Sequence, residues 1–343
     1  MIHVTILALE QSIPSGILVI HDLLKMASIG NGKPGEKNRT PLFDVTIASA
    51  DGKTLRYSEF LEIKPHMAVT EIRKTDLVIV PSGGYRINGL QGFPRVLTEW
   101  LRAQWVQGTD IAGICTGVFL LGEAGILAGK QTTTHWAYAD LFRTRYPDTM
   151  LMPDRIITQD SGIFCSGGGS AGVDLTLFLI EKFAGPEPAR RCMRMFLLER
   201  GRDDQSPYVD RQFKKNHPDA EILKAQVFIE RKIAENIVMD DVAAHVGMSL
   251  RNFKRRFKSA TGDPPLVYLQ KLRMESARHV LERDDTRIDV VAAMVGYEDM
   301  GFFRKLFSRY TGLSPSDYRQ KFRNACPVGQ GQSGAVLHGS TPC

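Results

Sequence analysis

Two copies of one short pattern decide the fold of the C-terminal third: Val242–Gly247 reads VAAHVG and Val291–Gly296 reads VAAMVG. The agreement continues after each copy in five aligned pairs, which are Phe253 with Phe303, Phe257 with Phe307, Gly262 with Gly312, Pro265 with Pro315, and Tyr268 with Tyr318. Agreement over such a length indicates an internal duplication, in which one small structural unit occurs twice.

Each copy predicts a short helix, a turn and a second helix, which is the helix-turn-helix pattern. Phe253 and Phe257 lie about one helical turn apart and therefore share a buried face. Gly247 permits a turn conformation that other residues resist. Ser249 precedes the second helix and is placed to cap it.

The second helix of each copy, here called the reading helix, is strongly basic in the first copy. Residues 249–260 contain no acidic side chain and five basic ones, which are Arg251, Lys254, Arg255, Arg256 and Lys258. All but Arg256 fall on or near one face, opposite the phenylalanines. Such a face suits the major groove of DNA. A solvated charged face on an ordinary helix pair is the alternative, and the duplication weighs against it.

The second copy is less basic. Its reading helix, predicted over Glu298–Tyr310, carries Arg304, Lys305 and Arg309 against two acidic residues, so it should add less electrostatic affinity. Between the copies, Pro265–Arg283 predicts a long helix. A rigid helix there can hold the two reading helices about one DNA turn, ~34 Å, apart.

The N-terminal part alternates short apolar runs with helical patterns. The strand candidates are His3–Ala8, Phe43–Ser49, Leu77–Pro81, Asp110–Ile114 and Ile163–Ser166. Helices are predicted over Leu90–Gln107 and over Ala171–Phe183, the latter with Ser170 as N-cap. The alternation predicts a parallel sheet with helices on both faces. The predicted fold class is therefore an α/β N-terminal domain followed by an all-α C-terminal domain.

Composition places the domain boundaries. The stretch Glu199–Asp219 is polar, contains two prolines and has no sustained periodicity. We predict a first domain over 1–198, a linker over 199–218 and a second domain over 219–325. The tail, 326–343, is rich in glycine and serine, which predicts disorder.

Bulk properties narrow the partners and the compartment. The net charge of +6 suits a polyanionic partner such as double-stranded DNA. Five cysteines without CxxC spacing indicate neither a disulfide framework nor a metal site, and fit the reducing cytoplasm. Residues 111–129 carry one charge, Glu123, and could be considered as a membrane span. Their glycines and short length favour a buried strand, turn and helix, so we predict no membrane partner.

A cysteine between glycines marks the N-terminal domain. Gly113–Gly117 reads GICTG, which places Cys115 at a tight turn between an apolar strand and a helix. That is the geometry of a nucleophile elbow, and the helix dipole would lower the pKa of the thiol. A structural cysteine at a glycine-rich turn is the alternative. Gly83 and Gly84 offer backbone N–H groups for a carboxylate or carbonyl. The glycine run 167–169 is either a second anion-facing turn or a flexible connector.

Residues 219–322 closely resemble the DNA-binding domain of the AraC family of regulators. The motifs are DDVAAHVGMSLRNFKRRFKSATGDPP, YLQKLRMESARHVL and VAAMVGYEDMGFFRKLFSRYTGLSPSDYR. The resemblance implies seven helices, with base contacts from both reading helices. The candidate DNA-binding residues are Ser249, Arg251, Asn252, Lys254 and Arg255 in the first copy, and Met300, Gly301 and Lys305 in the second. Gly301 departs from the long polar residues common there, which weakens base reading by the second copy.

Most of residues 1–190 resemble the ThiJ/PfpI-type, class I glutamine amidotransferase-like fold. The motifs are DLVIVPSGG at 76–84, GICTGVFLLGEAGILAGKQTTTHW at 113–136 and SAGVDLTLFLIEKFAG at 170–185. The resemblance implies a flavodoxin-like domain. Joined to an AraC-type domain, it is similar to regulators that sense nitrogen-rich metabolites such as arginine, carnitine and glycine betaine.

The same resemblance bears on catalysis, which needs a base close to the thiol. PfpI-type proteases have a histidine directly after the cysteine, where this chain has Thr116. Hydratase-type relatives use an acid after the first strand, and Glu10 comes too early for that role. His135 either lies near the thiol or is structural. We therefore predict a ligand pocket without catalysis, formed by Glu10, Gly83, Gly84, Cys115, Thr116 and His135.

Together these patterns predict a sequence-specific transcriptional regulator, an activator that responds to a small nitrogen-containing metabolite. No cofactor is predicted. The predicted partners are double-stranded DNA, the small-molecule effector, RNA polymerase and a second copy of the chain as a homodimer. A cysteine-dependent amidase or hydratase fused to a DNA-binding domain is the alternative.

Overall fold

The computed structural model describes residues 1–29, 41–83, 92–199, 201–210, 213 and 215–323. The chain divides into two compact units, Met1–Gln205 and Ser206 onward. This division falls within the stretch 199–218 that was predicted as a linker. The predicted tail lies outside the described residues.

The first unit is built on a parallel sheet. Its described strands are β1 (Ile2–Leu7), β2 (Phe43–Ser49), β3 (Leu55–Arg56), β4 (Glu62–Ile63), β5 (Met67–Ala68), β6 (Leu77–Val80), β7 (Asp110–Ile114), β8 (Gln131–Thr132), β9 (Met150–Leu151), β10 (Ile157–Asp160) and β11 (Ile163–Ser166). Seven of them form one sheet in the order β10-β11-β7-β6-β1-β2-β5. Neighbours pair in parallel except β10 and β11. The predicted parallel sheet is confirmed.

The antiparallel edge pair has a local cause. Only two residues, Ser161 and Gly162, separate β10 from β11, and both have a positive φ, +50° and +80°. A connection this short can return the chain only antiparallel, because parallel strands need a crossover of about a dozen residues.

Helices cover both faces of the sheet, as predicted. They are α1 (Pro14–Ser28), α2 (Arg95–Val106), α3 (Val118–Glu123), α4 (Ala139–Arg145), α5 (Ala171–Ala184) and α6 (Pro186–Met195). Ile6 packs in the core cluster that includes residues of α1 and α5. Its neighbour Leu7 packs in the cluster that includes residues of α2 and α3. Successive side chains of a strand point to opposite faces, so β1 is buried on both sides.

Ser170 does not cap α5 as predicted. It stands at the N-cap position without a capping hydrogen bond from its side chain. Its hydroxyl instead accepts a hydrogen bond from Arg202 at 2.6 Å. That guanidinium also donates to Asp174 at 2.5 Å. The backbone of Ser170 is helical, with φ −66° and ψ −11°, whereas a capping residue has an extended backbone, and this explains the difference.

Residues 111–129 begin with β7, turn at Cys115 and continue into α3. Within the described ranges, no helix is both long and apolar enough to cross a membrane.

The second unit is helical. Over 215–323 it contains α7 (Ala220–Arg231), α8 (Met239–His245), α9 (Leu250–Thr261), α10 (Pro265–Arg283), α11 (Ile288–Met294), α12 (Met300–Thr311) and α13 (Pro315–Arg323). The two copies of the repeat each surround a core. The first core contains Phe253 and Phe257, and the second contains Phe303 and Phe307. The reading helices are therefore α9 and α12, and α10 joins the two halves.

Candidate functional sites

The first reading helix separates its charged and apolar residues cleanly. Phe253 and Phe257 are completely buried. The basic residues predicted for the outer face are all exposed, namely Arg251, Lys254, Arg255 and Lys258. Asn252 is half-buried, and its Oδ1 accepts a hydrogen bond from Nη2 of Arg255 at 2.9 Å. The four basic or amide candidates of the first copy therefore lie along one accessible helix, namely Arg251, Asn252, Lys254 and Arg255.

Arg256 has a different role from the other basic residues of α9. Its Nε and Nη2 donate to the carboxylate of Asp219 at 3.0 and 2.7 Å. Asp219 is the N-cap of α7 and accepts from the backbone N–H of Ile222 at 3.2 Å. The hydrogen bond from Arg256 lowers the pKa of the Asp219 carboxyl. The ion pair of Arg256 with Asp219 thus links α9 to the start of α7.

Ser249 does not cap α9 with its side chain, so that prediction is wrong. It occupies the N-cap position with an extended backbone, φ −66° and ψ 148°, but its hydroxyl makes no capping hydrogen bond. The side chain is exposed, where water can satisfy the hydroxyl instead of the helix N–H groups. The first N–H groups of α9 thus gain no acceptor from Ser249.

The second reading helix offers fewer candidates. Gly301 and Lys305 are exposed, whereas Met300 is half-buried and packs against the second core. The N-cap Asp299 accepts from the backbone N–H of Phe302 at 3.0 Å. Phe302 itself is 48% exposed. Sequence reasoning missed this aromatic side chain, although its place directly after Gly301 in the reading helix was the available signal.

In the first unit, Cys115 occupies a strained turn. It has φ +56°, which is unusual for a residue other than glycine. Gly117 lets the backbone of this turn pack closely against Pro81, because a Cβ on residue 117 would lie 2.2 Å from the carbonyl oxygen of Pro81. The sequence GICTG therefore builds the predicted elbow, with the thiol buried at 6% exposure.

The thiol belongs to an apolar core cluster and also has hydroxyl and backbone N–H groups beside it. Hydrogen bonds reach it from Ser82, Thr116 and Gly169. The hydroxyls of Ser82 and Thr116 lie 3.0 Å apart. Burial raises the pKa of the Cys115 thiol and outweighs these hydrogen bonds, which act in the opposite direction. The expected lowering of that pKa by the helix dipole is therefore wrong, since desolvation is the larger effect.

His135 is fully engaged in local structure on one side of its ring. Its Nδ1 accepts from the backbone N–H of Ala137 at 3.1 Å and so caps a short turn. The ring lies against Gly168, where a Cβ would be 1.8 Å from Cδ2 of the imidazole. Burial lowers the pKa of His135, which favours the neutral ring.

A cleft of about 340 Å³ lies at the carboxyl end of β1 and β2. Its described lining includes Glu10, Asp51 and Gly83 beside the apolar Leu9, Phe93 and Leu97. Glu10 is exposed. Gly84 lies outside the described residues.

The structure divides the predicted pocket residues into two groups. Glu10 and Gly83 line the cleft, whereas Cys115, Thr116 and His135 are not among its described lining residues. Gly83 adjoins both groups, because a Cβ there would lie 3.7 Å from Oγ1 of Thr116. The cleft therefore adjoins the elbow at Gly83.

Sequence reasoning also missed a hydrogen-bond chain behind the elbow. The hydroxyl of Thr134 donates to the carbonyl of Cys115 at 2.8 Å. The carbonyl of Thr134 in turn lies 2.9 Å from Nε2 of Gln205. That nitrogen also reaches the carbonyls of Pro153 and Arg155, at 3.0 and 2.9 Å. Gln205 is 3% exposed although it lies in the polar stretch predicted as a linker, a setting that gave no signal of burial.

Two families match separate parts of the chain. A helix-turn-helix domain family matches residues 242–321. The DJ-1/PfpI family matches residues 25–182. The two matches fall in the second and first units, respectively.

Similar proteins cover either most of the chain or only part of it. The HTH-type transcriptional regulator GbdR of Pseudomonas aeruginosa is 30% identical over 285 residues, which cover 82% of this chain and 75% of GbdR. The isonitrile hydratase of Pseudomonas putida is 35% identical over 130 residues, covering 38% of this chain and 55% of the hydratase. A crystal structure of a Vibrio parahaemolyticus protein has a TM-score of 0.50 at 22% identity, covering 57% of this chain and 99% of that one, and shows the fold alone.

Proposed function

Because the chain belongs to the AraC-type transcriptional regulators that carry an N-terminal DJ-1/PfpI domain, we propose that it activates transcription when a small nitrogen-containing metabolite binds its first unit. The observation that carries its DNA-binding half is the exposed basic face of α9. The cleft of the first unit supports the ligand-sensing half.

The outer face of α9 has the chemistry of a major-groove reader. Arginine can donate two hydrogen bonds to guanine, and asparagine can pair in the same way with adenine. Arg251, Lys254 and Arg255 are exposed along α9, with Asn252 beside Arg255. Lys258 follows on the same face and suits a phosphate contact. Base reading is assigned here mainly to α9.

The second reading helix, α12, is assigned a smaller part in base reading. Lys305 is exposed and suits a base edge or a phosphate, while Gly301 offers no side chain. Met300 packs against the second core and can present only part of its side chain. We propose that α12 mainly positions the protein on the duplex, with Phe302 as an apolar contact for thymine methyl groups.

The cleft fits a small cationic ligand. Its volume of about 340 Å³ lies within the range of small-molecule pockets. The exposed carboxylate of Glu10 can pair with a positively charged nitrogen group, and the ring of Phe93 can lie against it. Gly83 provides backbone N–H for a carboxylate at the other end of an amino-acid-like molecule.

The hydrogen-bond chain behind the elbow supports regulation by such a ligand. It runs from Cys115 through Thr134 to Gln205, the last residue of the first unit. A ligand that favours one arrangement of the elbow would therefore bias the position of Gln205. We propose that this bias changes how two DNA-binding units of a homodimer engage paired sites.

Catalysis is not part of the proposal. A nucleophilic thiol needs a lowered pKa and an adjacent base, whereas burial raises the pKa of Cys115. His135 uses Nδ1 to cap a turn. The similarity to the isonitrile hydratase keeps a cysteine-dependent amidase or hydratase as the second candidate. RNA polymerase as partner and the cytoplasm as compartment follow from the regulatory role.

The ligand proposal can be tested by thermal unfolding of the full chain with arginine, carnitine and glycine betaine. A probe that binds only the folded state raises the melting temperature, by the equivalent of about 2.7 kcal/mol at 100 times its Kd. Glu10→Gln should lose that increase because it removes the carboxylate. The matched control is Glu187→Gln, on α6 outside the cleft lining, which should keep it.

The variant Cys115→Ser separates ligand sensing from catalysis. Cys115→Ser should keep the ligand-induced increase in melting temperature and the ligand response of DNA binding. Loss of both, together with turnover of an amide or isonitrile by the wild-type protein, would favour the enzyme. If none of the three probes changes the melting temperature, the assignment of this ligand class is wrong.

A further inference from the structure

The helix α10 passes from one core of the second unit to the other. Tyr268 and Leu269 belong to the first core. Met274, Ala277 and Leu281, further along the same helix, belong to the second. Arg273 stands at the changeover and is only 9% exposed. A buried cation needs hydrogen-bond partners, and these reveal its role.

Arg273 donates to the main chain of both halves. Its Nε lies 2.9 Å from the carbonyl oxygen of Ile233, and its Nη2 lies 2.6 Å from that of Glu235. Both acceptors belong to the turn between α7 and α8. Its Nη1 lies 3.1 Å from the carbonyl oxygen of Gly296, in the turn that leads into α12. One guanidinium therefore bonds to both halves of the duplication.

The surroundings leave little room for a different arrangement. Gly296 has φ +81°, and a Cβ there would lie 2.6 Å from Nη2 of Arg273 and 3.0 Å from the carbonyl oxygen of Ala234. The guanidinium carbon lies 5.1 Å from the ring centroid of Tyr297. Glycine at 296 thus lets the two turns and the guanidinium meet, and the aromatic ring holds the cation from one side.

We propose that Arg273 is a positioning residue that sets the orientation of α12 relative to α9, and so the spacing of the two DNA elements the protein accepts. The planar guanidinium has a rigid set of donors, so its hydrogen bonds fix the relative orientation of the two turns as well as holding them together. Two linked readers gain affinity only when both reach their elements at once. The proposal rests on DNA binding through both reading helices.

The test uses full-length protein and DNA that the wild-type protein selects from a random pool. Arg273→Met keeps the length of the side chain but loses every donor, and Arg273→Lys keeps the charge but loses the planar fork. For both variants we expect about tenfold or greater loss of affinity for the selected site. Inserting one to five base pairs between the two elements should weaken wild-type binding steeply and variant binding little.

Two controls make the result specific. A fragment that carries only the element read by α9 should bind the wild-type and variant proteins equally well, which shows that the first half remains folded. Arg283→Met removes the same charge from an exposed position on α10 and should keep the wild-type dependence on spacing. The proposal is overturned if the variants keep that dependence, or if they lose affinity equally on the single element. Failure of the wild-type protein to select any site would instead count against DNA reading itself.

Discussion

The two reading helices share a scaffold and differ on the surface. In both, a pair of phenylalanines one turn apart is buried: Phe253 and Phe257 in α9, and Phe303 and Phe307 in α12. Both helices end at a glycine with positive φ, +89° at Gly262 and +72° at Gly312. The duplicated sequence positions are those that the packing of a helix-turn-helix unit requires.

The exposed and half-exposed positions have diverged. Where α9 has Arg256 bonded to Asp219, the aligned position of α12 is the buried Leu306. The N-cap Asp299 places a carboxylate at the start of α12, whereas Ser249 makes no capping bond at the start of α9. A carboxylate at that end repels a phosphate, and uncapped N–H groups attract one. The comparison teaches that one fold can carry two helix surfaces of different charge, which supports the proposal that α9 is the stronger reader and α12 the weaker one.

The largest expected effect tests whether the two cores are equivalent. Phe253→Ala and Phe303→Ala should each lower the free energy of unfolding by about 3–5 kcal/mol, because each leaves a cavity in a close-packed core. Urea unfolding followed by circular dichroism measures both. A loss below about 1 kcal/mol for one variant alone would mean that only one half of the repeat is tightly packed.

A smaller effect tests the division of base reading. Arg255→Ala should reduce discrimination between the selected site and sites with single base changes by about 1–3 kcal/mol. The aligned variant Lys305→Ala should reduce it less, since α12 is proposed as the weaker reader. Titrations against a panel of single-base variants measure the difference. An equal loss on every sequence after Arg255→Ala would identify a phosphate contact instead.

The smallest effect concerns an ion pair that only the first half has. The pKa of Asp219 is lowered in the folded state, so its contribution to stability is present above the unfolded value of about 3.9. That contribution is lost as the pH falls through the lower folded value. Arg256→Leu introduces the residue of the second copy and should flatten this part of the acid dependence of unfolding. An unchanged acid dependence would show that the pair contributes nothing measurable.

Several features of the molecule were readable from sequence because they depend on local pattern. The period of apolar residues predicted the parallel sheet. The bounds of α10, Pro265–Arg283, also coincide with the predicted ones. The glycines around Cys115 predicted a tight turn, and the turn is there. Local spacing could not show that burial would raise the pKa of the thiol, because desolvation depends on distant parts of the chain.

Long-range polar contacts could not be predicted from the sequence either. Arg256 has the same sequence character as Arg255, yet one is bonded to Asp219 and the other is exposed. Gln205 looked like one more polar residue of a linker, yet it is buried among the carbonyls of Thr134, Pro153 and Arg155. A side chain's partner is chosen by which backbone segments the fold brings together, and sequence spacing does not encode that choice.

The amino-acid sequence alone determined the class of each half, the duplication and the basic outer face of α9, since hydrophobic periodicity and helical spacing act over a few residues. Only the tertiary structure decided that Arg256 pairs with Asp219, how the thiol of Cys115 is surrounded and which turns Arg273 joins. These depend on contacts between residues far apart in the chain, whose energies exist only after the backbone has closed around them.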